Sequence, residues 1–145
     1  MNNEDFEALK GTKTMPVALP TCSYFLSIPY TPARKIIDSG LPLALATDYN
    51  PGSSHISSLA LVMSLAALKM EMSIEETISA VTINAAKALD VQKTVGSIEP
   101  GKKADFAVFD CKEYADIVYD IGKNLNCMTI KNGEIIYNRS GKSSC

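Results

Sequence analysis

A carboxylate, an amide, a glycine and a hydroxyl lie close together near residue 50. Asp48 directly follows an apolar run, and Asn50, Gly52 and Ser53 come within the next five residues. A carboxylate in this place can bind a divalent metal ion or act as a general base. The amide of Asn50 and the hydroxyl of Ser53 can bind a ligand, and Gly52 lets the backbone approach it closely. These four residues form the candidate site.

The same residues have a purely structural interpretation. The order Asp-x-Asn-Pro-Gly over residues 48–52 is also typical of an Asx turn, in which a side-chain oxygen accepts a hydrogen bond from the backbone. On the residues alone, the structural and the functional interpretations both stay open.

The elements that must position Asp48 are predicted to form a βαβ unit. Residues 41–47 are apolar throughout, as in parallel strands buried on both faces, and residues 15–19 form a shorter apolar run bounded by prolines, which also predicts a buried strand. Between them, Thr31-Pro32 predicts a helix with a threonine N-cap and proline at its first position, and Gly40 predicts its end. Asp48 would then stand at the carboxyl end of a parallel strand, where α/β barrels place catalytic groups.

Only about two parallel strands can be found before the helical part of the sequence. A two-stranded parallel sheet leaves two long edges without partners, which invites aggregation. The sheet is therefore predicted to be completed by strands that lie elsewhere.

The rest of the chain changes from helical to strand periodicity. Residues 58–70 are apolar nearly all round and predict a buried helix, Ser73 with Glu76 predicts a capping box, and Thr82 opens a third helix with Ile83, Ala86 and Leu89 on one face. After residue 91, residues 104–109 predict a strand. Apolar runs at 128–130 and 134–137 flank Asn132-Gly133, which predicts a hairpin.

Composition excludes several classes of protein. The 145 residues are 46% apolar and 21% charged, with a net charge of −2 and no basic stripe, so a nucleic-acid partner is not expected. The polar, acidic residues 1–10 do not form a signal peptide, and the longest apolar run, 59–68, is too short to span a bilayer, so a cytoplasmic protein is expected. Four cysteines without a Cys-x-x-Cys pair are predicted to be reduced: Cys22, Cys111, Cys127 and Cys145.

Residues 46–53, Ala-Thr-Asp-Tyr-Asn-Pro-Gly-Ser, closely resemble the last-strand motif of the imidazolonepropionase family, within the amidohydrolase superfamily. Residues 19–26 and 32–35 resemble the strand and helix that precede this motif. Residues 80–86 and 96–105 also match, although many amidohydrolases carry the second of these segments. The resemblance covers roughly residues 3–138.

The resemblance implies an α/β fold, a (β/α)8 TIM-like barrel of a metal-dependent hydrolase with a small β-sandwich. Residues 1–90 would form the last β/α units and C-terminal helices, residues 91–138 the C-terminal strands of the sandwich, and 139–145 a tail. It implies a hydrolase of histidine degradation, which opens the lactam ring of imidazolone propionate to N-formimidoyl glutamate. The full-length enzyme would be a homodimer with a small-molecule substrate and no nucleic-acid or membrane partner.

The resemblance also implies roles for the candidate residues. One divalent metal, zinc or iron, is held in the family by a His-x-His pair, a later histidine and an aspartate, and Asp48 matches that aspartate. Asp48 would also carry a proton from the attacking water to the leaving ring nitrogen. Asn50, Gly52 and Ser53 match positions that contact the substrate.

The sequence departs from the family in its histidines. Its single histidine, His55, matches a loop position that is not a ligand, and no His-x-His pair is present. One aspartate does not make a catalytic zinc site, so this chain alone is expected neither to retain the metal nor to be active. The alternatives are a truncated, non-catalytic chain that pairs with another polypeptide, or a different amidohydrolase, a deaminase or cyclic amidase.

Overall fold

The structure is a computed structural model that describes residues 3–139, so Cys145 and all of the predicted tail except Arg139 lie outside the described residues. No helix within this part of the chain is long and apolar enough to cross a membrane. The helices and strands are, in chain order, α1 (Asn3–Leu9), β1 (Val17–Ala18), α2 (Pro20–Leu26), α3 (Ala33–Asp38), β2 (Ala44–Leu45), α4 (Leu59–Met70), α5 (Ile74–Val81), α6 (Ile83–Ala88), β3 (Phe106–Phe109), α7 (Asp116–Tyr119), β4 (Asn126–Lys131) and β5 (Glu134–Asn138).

The first sheet is the predicted parallel pair. β1 and β2 pair in parallel, with Val17 opposite Ala44, and the Ala44 amide donates to the Pro16 carbonyl at 2.9 Å. β2 and Leu43 before it are buried, as predicted. The prediction of a buried first strand is wrong at Val17, which is 46% exposed. Within the described residues this sheet has two strands, so β1 and β2 each pair with another strand along one edge only.

Two helices connect β1 to β2, where the sequence predicted one. The assignment of residues 19–26 to a strand is wrong, because α2 begins at Pro20, separated from the end of β1 by one residue. Proline is favourable at the first helical position, where its fixed φ suits the helix and its missing N–H would have had no partner. α2 ends at Ser27, in the left-handed region, with the Ile28 amide donating to the Ser23 carbonyl at 3.1 Å.

The predicted start of α3 is wrong by one residue, and its predicted end is confirmed. Pro32, not Thr31, is the N-cap, because the Ala33 amide donates to the Thr31 carbonyl at 2.8 Å and closes an inverse γ-turn around Pro32 (φ −75°, ψ 66°). At the other end, Gly40 has φ +85°, and its amide donates to the Ile37 carbonyl at 2.9 Å. The next amide, of Leu41, donates to Ile36 at 3.3 Å, which completes a Schellman motif.

The three central helices are present, but their predicted burial is only partly correct. The capping box of α5 is confirmed by hydrogen bonds in both directions between Ser73 and Glu76. Leu59 and Leu68 in α4 are 45% and 66% exposed, so these two predicted core positions are wrong, and Leu89 after α6 is 74% exposed. The buried core lies between the parallel pair and the helices and contains, among others, Phe6, Ala18, Ile36, Leu43, Leu45, Val62, Ala66, Met70 and Ala80.

The second sheet is antiparallel, in the order β3-β4-β5. The predicted hairpin joins β4 to β5, with Lys131 opposite Glu134, and Asn132 and Gly133 both have positive φ, as a type I′ turn requires. β5 is exposed along its whole length. The short helix α7, which the sequence analysis did not predict, is tied to α4 by the Ser64 hydroxyl, which donates to the Val118 carbonyl at 2.6 Å.

A double hydrogen bond between Arg34 and Glu76 connects α3 to α5. The two guanidinium NH groups donate to the two carboxylate oxygens at 2.9 Å each, and the Arg34 Nε also donates to Asp38. This bond to Arg34 is the main reason that the pKa of the Glu76 carboxyl lies below its ordinary value of 4.5, although partial burial opposes the shift. The same contact raises the pKa of Arg34, so both shifts show that the contact stabilises the charged forms of the two side chains.

We expect Glu76→Gln to remove part of the acid sensitivity of folding. Because the folded pKa of Glu76 is below the unfolded one, the unfolded chain binds more protons between the two values. The stabilisation is therefore complete above about pH 4.5 and is lost as the pH falls through the folded pKa. Unfolding free energies of the original chain and of Glu76→Gln should differ at neutral pH and converge in acid. Glu4→Gln, on the exposed surface of α1, is the control, and a difference that stayed constant to pH 3 would contradict the assignment.

Candidate active site

Asp48 stands just beyond the carboxyl end of β2, in a strained backbone conformation. Its φ is +50°, in the left-handed region that non-glycine residues seldom adopt, although aspartate tolerates it better than most. The residue is half-buried. The carboxylate is therefore held at a place that a ligand can reach.

The structure brings Asp48, Asn50 and Ser53 together. The Ser53 hydroxyl donates to Asp48 Oδ2 at 2.6 Å, and Asn50 Nδ2 donates both to the Asp48 carbonyl at 2.6 Å and to Ser53 Oγ at 2.7 Å. Among the residues that the structure describes, Asp48 Oδ1 has no hydrogen-bond partner. One carboxylate oxygen is thus oriented by the loop, and the other is available to a ligand.

The predicted Asx turn is present, and Asn50 forms it. Asn50 Oδ1 accepts hydrogen bonds from the amides of Gly52 and Ser53, both at 2.8 Å, and the Asn50 amide donates to the Ser54 carbonyl at 2.9 Å. A Cβ atom on Gly52 would lie 3.3 Å from Asn50 Oδ1, so a side chain there would crowd the turn. The turn accounts for Asn50 and Gly52, but it does not use the Asp48 carboxylate for any backbone bond.

Two residues that the sequence analysis missed hold the strand on which Asp48 depends. The Thr21 hydroxyl donates to the Thr47 carbonyl at 2.7 Å, and Asn84 Nδ2 donates to the Leu43 carbonyl at 3.0 Å. Thr21 lies in α2, a segment predicted as a strand, and Asn84 lies in α6. Each bond depends on how its helix packs beside the strand, so no local sequence signal predicts it.

The donors in this chain do not fit a complete metal site. No group of three or more His, Cys, Asp or Glu side chains that could hold a metal ion occurs within residues 3–139. His55 is exposed, with Nε2 2.8 Å from the Pro51 carbonyl and its ring 4.7 Å from that of Phe25. Asp48 offers one carboxylate ligand, whereas a catalytic zinc site needs about three protein ligands.

The predicted reduced cysteines are confirmed where the structure describes them. Cys22, Cys111 and Cys127 are free and half-buried. Burial and the neighbouring carboxylates of Asp116 and Asp110 raise the pKa of the Cys111 thiol. A raised pKa makes the thiol less nucleophilic at neutral pH, so Cys111 is not a candidate nucleophile.

The chain is similar over most of its length to curated proteins called imidazolonepropionase. It is 55% identical to those of Christiangramia forsetii and Flavobacterium johnsoniae, in each case over 94% of this chain and 33% of the relative. It is 51% identical to that of Geobacillus thermodenitrificans, over 94% of this chain and 32% of the relative. The chain thus spans about a third of the length of the curated relatives it matches.

Solved structures with the same fold come from more distant proteins. An adenosine deaminase from Xanthomonas campestris with bound zinc superposes with a TM-score of 0.87 at 20% identity, over 96% of this chain and 36% of that one. Atrazine chlorohydrolase from Arthrobacter aurescens, complexed with zinc, gives a TM-score of 0.82 at 18% identity, over 96% and 34%. The predicted α/β class is confirmed, and the fold is shared with these proteins.

A protein-family model described as the amidohydrolase family matches residues 7–136. The match includes β1, β2 and the loop that carries Asp48, and it continues through most of the hairpin of β4 and β5. Because it covers nearly all of the described residues, this chain belongs to the amidohydrolase family.

Proposed function

We propose that this chain is the C-terminal third of an imidazolonepropionase, the hydrolase that opens imidazolone propionate to N-formimidoyl glutamate in histidine degradation. The observation that carries the proposal is the Asp48, Asn50 and Ser53 cluster at the end of a buried parallel strand. The 55% identity to two proteins of that name supports the choice of substrate. In the whole enzyme, residues 1–90 would complete a barrel, and residues 91–138 would complete a β-sandwich.

We assign Asp48 as one ligand of a divalent metal, zinc or iron, whose other ligands belong to parts of the enzyme outside this chain. The zinc in two structural relatives supports a divalent metal. The Ser53 hydroxyl would orient the carboxylate by its bond to Oδ2, which leaves Oδ1 for the metal. Such an arrangement is typical of metal sites, where ligating carboxylates are themselves hydrogen-bonded.

We also propose that Asn50, Gly52 and Ser53 contact the substrate. The side-chain amide of Asn50 already donates twice through Nδ2 and accepts twice through Oδ1, so all of its hydrogen-bonding positions are occupied. A substrate would therefore have to replace the hydrogen bond from Asn50 Nδ2 to Ser53 Oγ. Breaking that bond would free one N–H donor of Asn50 and one acceptor position on the Ser53 oxygen at once. Gly52 would contribute by leaving room beside the loop.

A second candidate, a non-catalytic chain that works by pairing with another polypeptide, is favoured by a separate observation. The parallel pair has both of its outer edges open within residues 3–139, and Val17 in β1 and Leu68 in α4 are exposed. Open parallel edges and bare apolar side chains are typical of a surface that another part of a protein covers. Cytoplasmic location and homodimer assembly of the whole enzyme are further proposals, supported by the family resemblance.

The two candidates differ in what the chain does when the rest of an enzyme is supplied. We expect the 145-residue chain alone to hydrolyse no imidazolone propionate with either zinc or iron, because it offers one ligand. We expect turnover from a hybrid chain, in which residues of this chain replace the matching third of the Christiangramia forsetii relative. Loss of the ultraviolet absorbance of the substrate measures the rate, and elemental analysis measures bound metal.

The unaltered Christiangramia forsetii protein is the positive control. A hybrid chain that is folded and binds metal but gives no turnover would contradict the proposed function and favour the non-catalytic candidate. Turnover by the 145-residue chain alone would show that its own residues suffice, against the assignment of the other ligands to parts outside it.

A further inference from the structure

The peptide between Thr47 and Asp48 controls how the candidate carboxylate is presented. The Thr47 carbonyl and the Asp48 amide belong to one planar peptide group, so a flip of this peptide changes the ψ of Thr47 and the φ of Asp48 together. Asp48 has the unfavourable φ of +50°, and a flipped peptide would return it toward the common negative region. Such strain persists only when surrounding contacts determine the conformation.

Contacts on both sides of this peptide hold it in place. After Asp48, the loop itself supplies them, through the bonds of Asn50 to the Asp48 carbonyl and of Ser53 to the carboxylate. Before Asp48, the contact comes from 26 residues earlier, where Thr21 Oγ1 donates to the Thr47 carbonyl at 2.7 Å. Thr21 is 0% exposed, so its hydroxyl is shielded from water.

Thr21 is itself placed by a rigid element. It is the second residue of α2, directly after Pro20 at the helix N-terminus, and Pro20 is also buried. α2 follows β1 after one residue, and β1 pairs with β2, so the hydroxyl and the carbonyl that it bonds are fixed by the same parallel pair. A flip of the Thr47 carbonyl would break this bond and leave the hydroxyl of Thr21 buried without its partner, which is unfavourable.

We propose that Thr21 is a positioning residue for Asp48: its buried hydroxyl locks the peptide that precedes Asp48 and so sets the direction of the carboxylate. The proposal rests on the proposed function only for what the carboxylate does. The conformational part is a property of this chain and can be tested without turnover.

The conformational test uses nuclear magnetic resonance on the 145-residue chain. Thr21→Val keeps the shape and removes the hydroxyl, and Thr21→Ser keeps the hydroxyl. Thr77→Val is the matched control, because Thr77 is also 0% exposed and also donates to a backbone carbonyl at 2.7 Å, that of Ile74. We expect the scalar coupling and carbon shifts that report φ of Asp48 to change in T21V and to stay unchanged in T21S and T77V. An unchanged φ in folded T21V would overturn the proposal.

The activity test uses the hybrid chain with the same three substitutions. We expect kcat/KM to fall about tenfold in T21V, with the loss in kcat rather than KM, and to recover in T21S. T77V should match the unsubstituted hybrid chain. Equal kcat for T21V and T77V would overturn the role of Thr21, whereas an inactive unsubstituted hybrid chain would count against the proposed function and leave the conformational test to decide.

A measurement on the unsubstituted 145-residue chain covers the case in which T21V does not fold. The Thr21 hydroxyl proton should exchange slowly with solvent, because it is buried in a short hydrogen bond. It should also show a nuclear Overhauser effect to the backbone protons of Asp48. Rapid exchange of this proton would overturn the proposal independently of any variant.

Discussion

Replacing Asp48 by asparagine is expected to lower kcat/KM of the hybrid chain at least about a hundredfold, or about 2.7 kcal/mol of transition-state stabilisation. Asparagine keeps the size of the side chain, an oxygen that can accept the bond from Ser53, and the tolerance for a left-handed backbone. The substitution thus removes the negative charge and little else. Bound metal should fall together with the rate, because a neutral amide is a weaker ligand than a carboxylate.

The matched control for this substitution is Asp90→Asn. Asp90 is also an aspartate with positive φ, +56°, but it is exposed and lies after α6, away from the candidate loop. Activity and metal content should be unchanged there. In the 145-residue chain, Asp48→Asn should change the free energy of unfolding by less than about 1 kcal/mol, since one hydrogen bond is altered. A large loss of stability with little loss of activity would reverse the assignment and make Asp48 a structural residue of the loop.

Features that depend on a few adjacent residues could be predicted from the sequence. The capping box of Ser73 and Glu76, the Schellman motif at Gly40 and the hairpin at Asn132-Gly133 are all present where their residues indicated. In each case the backbone conformation and its hydrogen bonds are fixed within about six residues. No distant part of the chain has to be known.

Burial could be predicted less well, because a pattern of apolar residues does not show what covers them. Residues 58–70 are apolar nearly all round, yet Leu59 and Leu68 are exposed in this chain. Val17 is exposed for the same reason, because residues 3–139 do not fully cover its side of β1. These apolar side chains lie on surfaces that residues 3–139 leave partly uncovered.

The candidate site likewise combines local contacts, which the sequence indicates, with distant contacts, which it does not. Asp48, Asn50 and Ser53 lie within six residues, and the proximity that their spacing indicated is present in the structure as hydrogen bonds within the loop. Thr21 and Asn84 bind backbone carbonyls on either side of β2, from 26 and 41 residues away along the chain. Nothing in their local sequence indicates such a bond, because it depends on how α2 and α6 pack against the strand.

Packing of α6 also depends on Gly96, in the weakly specific segment 96–105. Gly96 has φ +93°, and a Cβ atom there would lie 2.6 Å from the Ala86 Cβ and 3.2 Å from the Ile83 Cα and the Thr82 carbonyl oxygen. Two of these three neighbours are backbone atoms, which cannot move aside without shifting the helix. The glycine therefore lets the chain after α6 fold back directly against the helix.

We expect Gly96→Ala to destabilise the 145-residue chain by about 3 kcal/mol, from the left-handed backbone and the overlap with α6 together. Gly101→Ala is the matched control, because Gly101 has a similar φ of +88° but no atom within 4 Å of its Cβ position, so it should lose only about 1 kcal/mol. Urea unfolding of both variants measures the difference. Because Asn84 in α6 holds the carbonyl of Leu43, directly before β2, displacement of α6 should also perturb the backbone resonances of Asp48. Equal losses of unfolding free energy in the two variants would show that α6 shifts away from the new methyl group at no cost. Such a result would contradict the idea that α6 constrains the strand.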